Sequence, residues 1–262
     1  MKNDQKTSSK KSKGIMLKTF SLLMFILLSG KNTWAQSSVI SVKSFKKVIV
    51  SPHISVTFKE GDKESVTIET SHVPNHKINI EVNNGTLWVY LDGAKTTTKT
   101  EKHYENGRER THSIYKGTQV TAIITYKTLK ELSLRGEENF VCESLLKTDK
   151  FRLKIYGESQ VYLNNVDFKE LHTTIYGESY LEIKEGSIES QKFTSYGESK
   201  INTLGVKNRR TKVTAYGEGS FRFTVSDHLK VTAYGEATVA YQGNPEVRKG
   251  LVIGEAIIRK IN

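Results

Sequence analysis

The chain has one cysteine, Cys142, and three prolines in 262 residues. A lone thiol excludes an internal disulfide framework, so the fold must be held by packing and backbone hydrogen bonds. Helical patterning is also missing. Outside residues 20–28 no segment carries a 3.6-residue apolar stripe of helical length. The seven histidines are scattered and lack the His-x-x-x-His spacing of a helical metal site, so no metal or cofactor is expected. No glycine-rich turn precedes a helix, which removes the dinucleotide and phosphate loops. No arginine-rich patch is present, so nucleic acid is not an expected partner.

The N-terminus reads as a leader. Residues 1–18 are rich in Lys, Ser and Thr, and an apolar run follows at Phe20–Leu28. That run is too short for a bilayer core of ~30 Å, which needs about 20 apolar residues. A basic flank, a short apolar core and the small residues Thr33 and Ala35 make a signal peptide over 1–35, cut before Gln36. Met16 offers a second start of more usual proportions. The chain is therefore expected to be exported to the periplasm, the outer membrane or the exterior, meeting the membrane only in transit. Removing seven Lys and one Asp with the leader leaves 33 basic and 27 acidic residues, a net of +6. Those charges are interspersed along the sequence.

Residues 36–262 read as one all-β domain. Apolar and polar residues alternate in Ile54-Ser-Val56-Thr-Phe58, Val66-Thr-Ile68 and Ile78-Asn-Ile80-Glu-Val82. Asn84-Gly85 marks a tight turn into Leu87-Trp-Val89-Tyr-Leu91. The pattern divides the domain into N-terminal coils (36–92), a polar loop or hairpin insertion (93–118) and repeat coils (119–262). The insertion carries no chemistry-bearing motif, and mobility is the plainer expectation for it.

A repeat dominates the second half. Gly136, Gly157, Gly177, Gly197, Gly217, Gly235 and Gly254 are each followed by Glu, at spacings of 21, 20, 20, 20, 18 and 19 residues. In five of these units the preceding residue is Tyr. A fixed period near 20 indicates stacked supersecondary units. At ~3.3 Å per residue a coil has a perimeter of roughly 66 Å before its corners, which suits a flattened or three-sided parallel solenoid. An antiparallel sandwich or barrel is the alternative. Stacking would bury Leu153, Ile155, Val161, Leu163, Ile175, Leu181, Ile183, Phe193, Val213, Phe221, Phe223, Val231 and Val239. Gly157, Gly177, Gly197, Gly217 and Gly235 should sit where no side chain fits, so Gly197→Val should destabilise the fold.

Two rows of side chains could bind something. Glu137, Glu158, Glu178, Glu198, Glu218, Glu236 and Glu255 recur at one place in each coil. At a coil spacing of ~4.8 Å, neighbouring charges repel by roughly 3 kcal/mol at an effective dielectric of 20. Solvent, a nearby Lys or Arg, partial protonation or a bound cation such as Ca²⁺ would relieve this. Tyr156, Tyr176, Tyr196, Tyr216 and Tyr234 follow inward residues and should face outward. Such a row is either a platform for sugar rings or another protein, or simply stacked cover for the sheet. Catalysis has little support. Ser159, Ser179 and Ser199 lie in the turn, but no His repeats beside them. Paired carboxylates could serve a glycosidase, yet catalytic sites are local and irregular, and this row is evenly repeated.

The order of motifs resembles a known family. These are Phe45-Lys-Lys-Val-Ile-Val-Ser51, Ile54-Ser-Val-Thr-Phe58, Lys59-Glu-Gly61-Asp62, Val66-Thr-Ile-Glu69, Asn84-Gly-Thr-Leu87, Val120–Tyr126 and Leu129-Lys-Glu-Leu132, leading into the glycine repeats. Together they are similar to the Bacteroidetes-type auto-transporter adhesin "head GIN" domain proteins. The resemblance implies a right-handed parallel β-helix, shaped like a pectin lyase, which fits the coils of about 20 residues read from the repeat. It implies no known catalytic site and a role in adhesion. Family repeats are Gly-Ser-Gly-Asp-like, whereas this chain has Tyr-Gly-Glu-Ser. The expected function is an exported, non-enzymatic binding protein that meets a glycan or cell-surface protein through Tyr156, Glu158, Tyr176, Glu178, Tyr196, Glu198, Tyr216, Glu218, Tyr234 and Glu236. The alternative is a polysaccharide-acting lyase or hydrolase, which needs one coil with an irregular cluster of acid and base.

Overall fold

The computed structural model describes residues 38–105 and 107–262, so the expected leader and its cut before Gln36 lie outside the described residues. The strands are β1 (Ser38–Ser41), β2 (Lys47–Val50), β3 (Ile54–Glu60), β4 (Ser65–Ser71), β5 (Ile78–Asn83), β6 (Thr86–Leu91), β7 (Thr100–Glu105) and β8 (Arg108–Ser113). They continue as β9 (Val120–Tyr126), β10 (Glu131–Gly136), β11 (Asn139–Gly157), β12 (Gln160–Tyr176), β13 (Tyr180–Tyr196) and β14 (Ser199–Thr203). The last three are β15 (Val206–Thr224), β16 (His228–Gln242) and β17 (Glu246–Lys260). Fifteen of them join in one continuous sheet, which coils into a β-solenoid of about six turns with ~20-residue coils.

From β10 onward each coil lies parallel to, and in register with, its predecessor. Tyr156 pairs with Tyr176, then Tyr196, Tyr216 and Tyr234. Each coil passes along three stretches: a first face at Arg152–Tyr156, a second at Gln160–Leu163 and a third at Asn165–Phe168, with counterparts one coil on. Alternation decides what turns inward. Phe151, Leu153 and Ile155 are buried, and the residues between them are not. Every inward residue expected from the sequence, Leu153 through Val239, is buried. The core phenylalanines stack across faces, Phe151 on Phe168 at 4.9 Å and Phe193 on Phe223 at 5.3 Å. Truncating one such ring to Ala costs about 3–5 kcal/mol.

The repeat glycines mark the bend that ends the first face. Gly177 has φ +115°, and a Cβ added there would lie 2.4 Å from the carbonyl oxygen of Gly157 in the coil below. Gly197 has φ +105° and a corresponding distance of 2.9 Å. Both the backbone conformation and the coil approach therefore require glycine.

At the N-terminal end the parallel ladders are finished by antiparallel strands. β2 lies between β6 and β10, and β5 closes antiparallel on β6. On the neighbouring face β3 lies between β9 and β11, and β4 and β1 follow antiparallel. This hides most of the ladder's starting edge, a usual need of solenoids. Strands β7 and β8 pair antiparallel as a separate two-stranded sheet. Among the described residues no helix is long and apolar enough to cross a membrane.

Candidate functional site

The first face presents the tyrosine row outward. Tyr176, Tyr196 and Tyr216 are 41%, 38% and 37% exposed, and Tyr156 and Tyr234 are half-buried. Register fixes their spacing, because each pair occupies matched positions in adjacent coils. The rings stack almost parallel, with centroids 5.1 Å apart for Tyr156–Tyr176 and 4.8 Å for each later pair. Interplanar angles are 3–7° across the row. Such stacking covers the ring faces. The row's lower end is closed too, since the Arg135 guanidinium lies 4.5 Å from the Tyr156 ring centre. At the other end Ile253 stands beside Tyr234. The row therefore offers ring edges and phenol hydroxyls. The ring faces of the inner tyrosines are covered by their neighbours.

Glu137, Glu158, Glu178, Glu198, Glu218, Glu236 and Glu255 are all exposed along the bend beyond the glycines. Water relieves their mutual repulsion, the first of the reliefs open to such a row. Among the described residues no group of three or more His, Cys, Asp or Glu is placed to hold a metal ion. The serines that follow Glu158, Glu178 and Glu198 turn inward. Ser159 Oγ donates to the Gly136 carbonyl at 2.8 Å, and Ser179 Oγ to that of Gly157 at 2.9 Å. They latch one coil to the next and are not presented to a substrate. Ser199 is equally buried, but its hydroxyl has no partner.

One irregular cluster escaped the sequence reading. Glu138 takes the place that Ser holds in later repeats, and it is only 4% exposed. Its Oε2 accepts the Glu137 backbone N–H at 3.0 Å, and its Oε1 lies 4.0 Å from His53 Nδ1. Burial raises the Glu138 pKa above the usual carboxylate value, against the lowering pull of that backbone bond and of His53. His53 has φ +71°, uncommon for a side chain with a Cβ. Its Nδ1 donates to the Gly117 carbonyl at 2.8 Å, which leaves Nε2 to meet the Thr98 hydroxyl at 2.7 Å. Both ring nitrogens are thus engaged in tying the insertion to the first coil. The surrounding cleft, of about 500 Å³, is lined by Thr96, Thr97, Thr98, Ser113, Tyr115 and Lys116. The sequence signal was available: the repeat reads Arg-Gly-Glu-Glu here instead of Tyr-Gly-Glu-Ser.

A second aromatic group sits on the N-terminal strands. Trp88 Nε1 donates to Ser51 Oγ at 3.0 Å, and Lys95 Nζ covers the Trp88 and Tyr90 rings at 4.4 and 4.3 Å. Tyr90 donates to Glu81 at 2.6 Å, and that bond, with burial, pushes its pKa up to about 12.

Comparison with known proteins agrees with this architecture. None of the curated proteins is a significant match. Among solved structures, a "putative adhesin" from Bacteroides fragilis superposes with a TM-score of 0.70 at 19% identity, over 86% of this chain and 96% of that one. Another, from Parabacteroides merdae, gives 0.60 at 20% identity, over 87% and 96%. A "putative lipid binding protein" from Parabacteroides distasonis gives 0.61 at 17% identity, also over 87% and 96%. At these identities the likeness is one of fold. The family model "Putative auto-transporter adhesin, head GIN domain" matches residues 44–245, and the chain belongs to that family.

Proposed function

We propose that the protein is an exported, non-enzymatic adhesin-like module that meets its partner along the first face and the bend that ends it. The contact residues are Tyr156, Glu158, Tyr176, Glu178, Tyr196, Glu198, Tyr216, Glu218, Tyr234 and Glu236, and the partner is a glycan or a cell-surface protein. The observation that carries this reading is the unbroken outward row of tyrosines at 4.8–5.1 Å, bordered by exposed glutamates. Membership of an adhesin family supports it. The contact chemistry is polar: phenol hydroxyls donate and accept, and carboxylates accept hydroxyl or amide protons. Every coil repeats the contact, so binding is multivalent and each coil adds to the avidity. The reading places the mature start at Gln36 and the protein in the periplasm, on the outer membrane or outside the cell; N-terminal sequencing of the exported material checks the start.

The test is a glycan and cell-surface binding array with wild type, single Tyr→Ala variants and the combined Tyr176, Tyr196 and Tyr216→Ala variant. Single variants should lose little, and the triple variant should lose binding while keeping its far-UV spectrum. Equal binding by a folded triple variant would remove the face from the function.

A further inference from the structure

The first face begins with a column of cations that the interspersed charge of the sequence conceals. Arg152, His172, Lys192, Lys212, Lys230 and Arg248 occupy one position in successive coils, paired in register. Below Arg152 the column continues through Glu131 to Lys47. Glu131 is the single acid in it, and its carboxylate is held by Lys154 at 2.9 Å and Arg152 at 3.8 Å. Arg248 is held by Glu246 at 2.6 Å. Among the described residues no ion pair engages Lys47, Lys192, Lys212 or Lys230, and all four are exposed. At ~4.8 Å per coil the column runs on the order of 34 Å along the solenoid. Like charges placed opposite each other on neighbouring strands work against a sheet. Elsewhere this chain sets opposite charges in register, Lys147 with Asp167 at 2.9 Å and Lys150 with Glu170 at 3.1 Å. The unpaired lysine column is therefore not explained by the fold. Two residues further on, Thr174, Thr194, Thr214 and Thr232 form a parallel row between the cations and the tyrosines.

We infer that this column binds a linear acidic polysaccharide, with an acid group on each sugar, laid along the solenoid axis. The inference rests on the reading of the first face as a contact surface and names the class of glycan. Charge complementarity selects an anionic partner. A row one residue wide matches a chain rather than a plane, which argues against an anionic membrane surface. A pyranose unit in an extended chain is close in length to one coil step, so the acid groups of such a polymer recur near the lysine spacing. The threonine hydroxyls lie about 7 Å across the face from the cations, at ~3.3 Å per residue. There they meet the hydroxyls of a sugar ring whose acid group sits on a lysine. Each exposed ion pair is weak, and the repeat adds them along the polymer. A single-stranded nucleic acid also carries a charge on each unit, but it is held by stacking its bases on open aromatic faces. The faces of the inner tyrosines are covered. The glutamates past the glycine bend repel an anionic chain and keep it on the lysine side of the tyrosines.

Titration calorimetry of the purified full chain tests this with polygalacturonate, its methyl ester, dextran sulfate and an oligothymidylate. Wild type should bind at least one of the two acidic polysaccharides, and the tighter of them identifies the acid group. It should bind the neutral ester at least about tenfold more weakly than polygalacturonate if the acid is a carboxylate, and binding should weaken as salt rises. The variant with Lys192→Gln, Lys212→Gln and Lys230→Gln should bind the preferred polymer at least about tenfold more weakly. The variant with Lys184→Gln, Lys200→Gln and Lys207→Gln loses the same charge from exposed lysines off the column and should bind as wild type does. Thermal unfolding shared with wild type shows that both variants are folded. Failure of wild type to bind either acidic polysaccharide overturns the inference. So does unchanged binding by the column variant, an equal loss in both variants, or tighter binding of the oligothymidylate than of both polysaccharides. A wild type that ignores the acidic polymers yet binds a neutral glycan or a surface protein through Tyr176, Tyr196 and Tyr216 would overturn the acidic class alone and leave the reading of the face standing.

Discussion

Replacing Gly177 by Ala isolates the close approach of neighbouring coils at the bend. Two costs act there. The φ of +115° is a region that residues with a Cβ rarely enter, at about 1–3 kcal/mol. The new methyl would also sit 2.4 Å from the Gly157 carbonyl oxygen. That oxygen belongs to backbone fixed in the inter-coil ladder, so relief requires the coils to part locally. The two costs together should exceed about 3 kcal/mol, or a fall in Tm of roughly 6–12 °C for a domain of this size. Gly197→Ala should cost less, because its contact is 2.9 Å. Gly85→Ala is the control: φ is +70°, but nothing lies within 4 Å of the added carbon. It should show the backbone cost alone, about 1–2 kcal/mol. Thermal and urea unfolding of the three variants checks the order Gly177, Gly197, Gly85. If Gly177→Ala is no worse than Gly85→Ala, the coils do not meet as described.

Other consequences are equally direct. Ser179→Ala removes the bond to Gly157 and should cost about 1 kcal/mol in urea unfolding, whereas Ser199→Ala, whose hydroxyl has no partner, should be neutral or stabilising. Tyr196→Ala breaks two stacked contacts and should cost about 1–3 kcal/mol in the same assay. Glu138 holds a proton more tightly when folded than when unfolded, so its contribution favours the fold below the ordinary carboxylate pKa and turns unfavourable as pH rises through the raised one. Glu138→Gln keeps an acceptor for the Glu137 N–H, so it should raise stability at neutral pH and flatten the fall between acid and neutral pH; unfolding as a function of pH checks both.

The period and the core were legible in the sequence because both are local. Leu153 and Ile155 announce their inward direction by alternation, and the glycine spacing announces the coil. The finishing strands were not legible in the same way. Ile54–Phe58 reads as a strand, but its neighbours lie at Val120–Tyr126 and Phe140–Cys142, and local pattern carries no trace of such distant partners. The tyrosine row was visible, whereas the closure of its ring faces depends on stacking geometry. Arg135 showed only as a missing Tyr, though it caps the stack.

The proposed contact lies along the tyrosine row of the first face. Hydroxyl-radical footprinting of the chain, free and bound to whichever glycan or surface protein it associates with, tests that claim residue by residue. Protection should concentrate on Tyr176, Tyr196 and Tyr216, with Tyr162, Tyr180 and the hairpin's Tyr104 unchanged. Protection of Tyr104 or of the second face, with the tyrosine row as reactive as in the free chain, would contradict it.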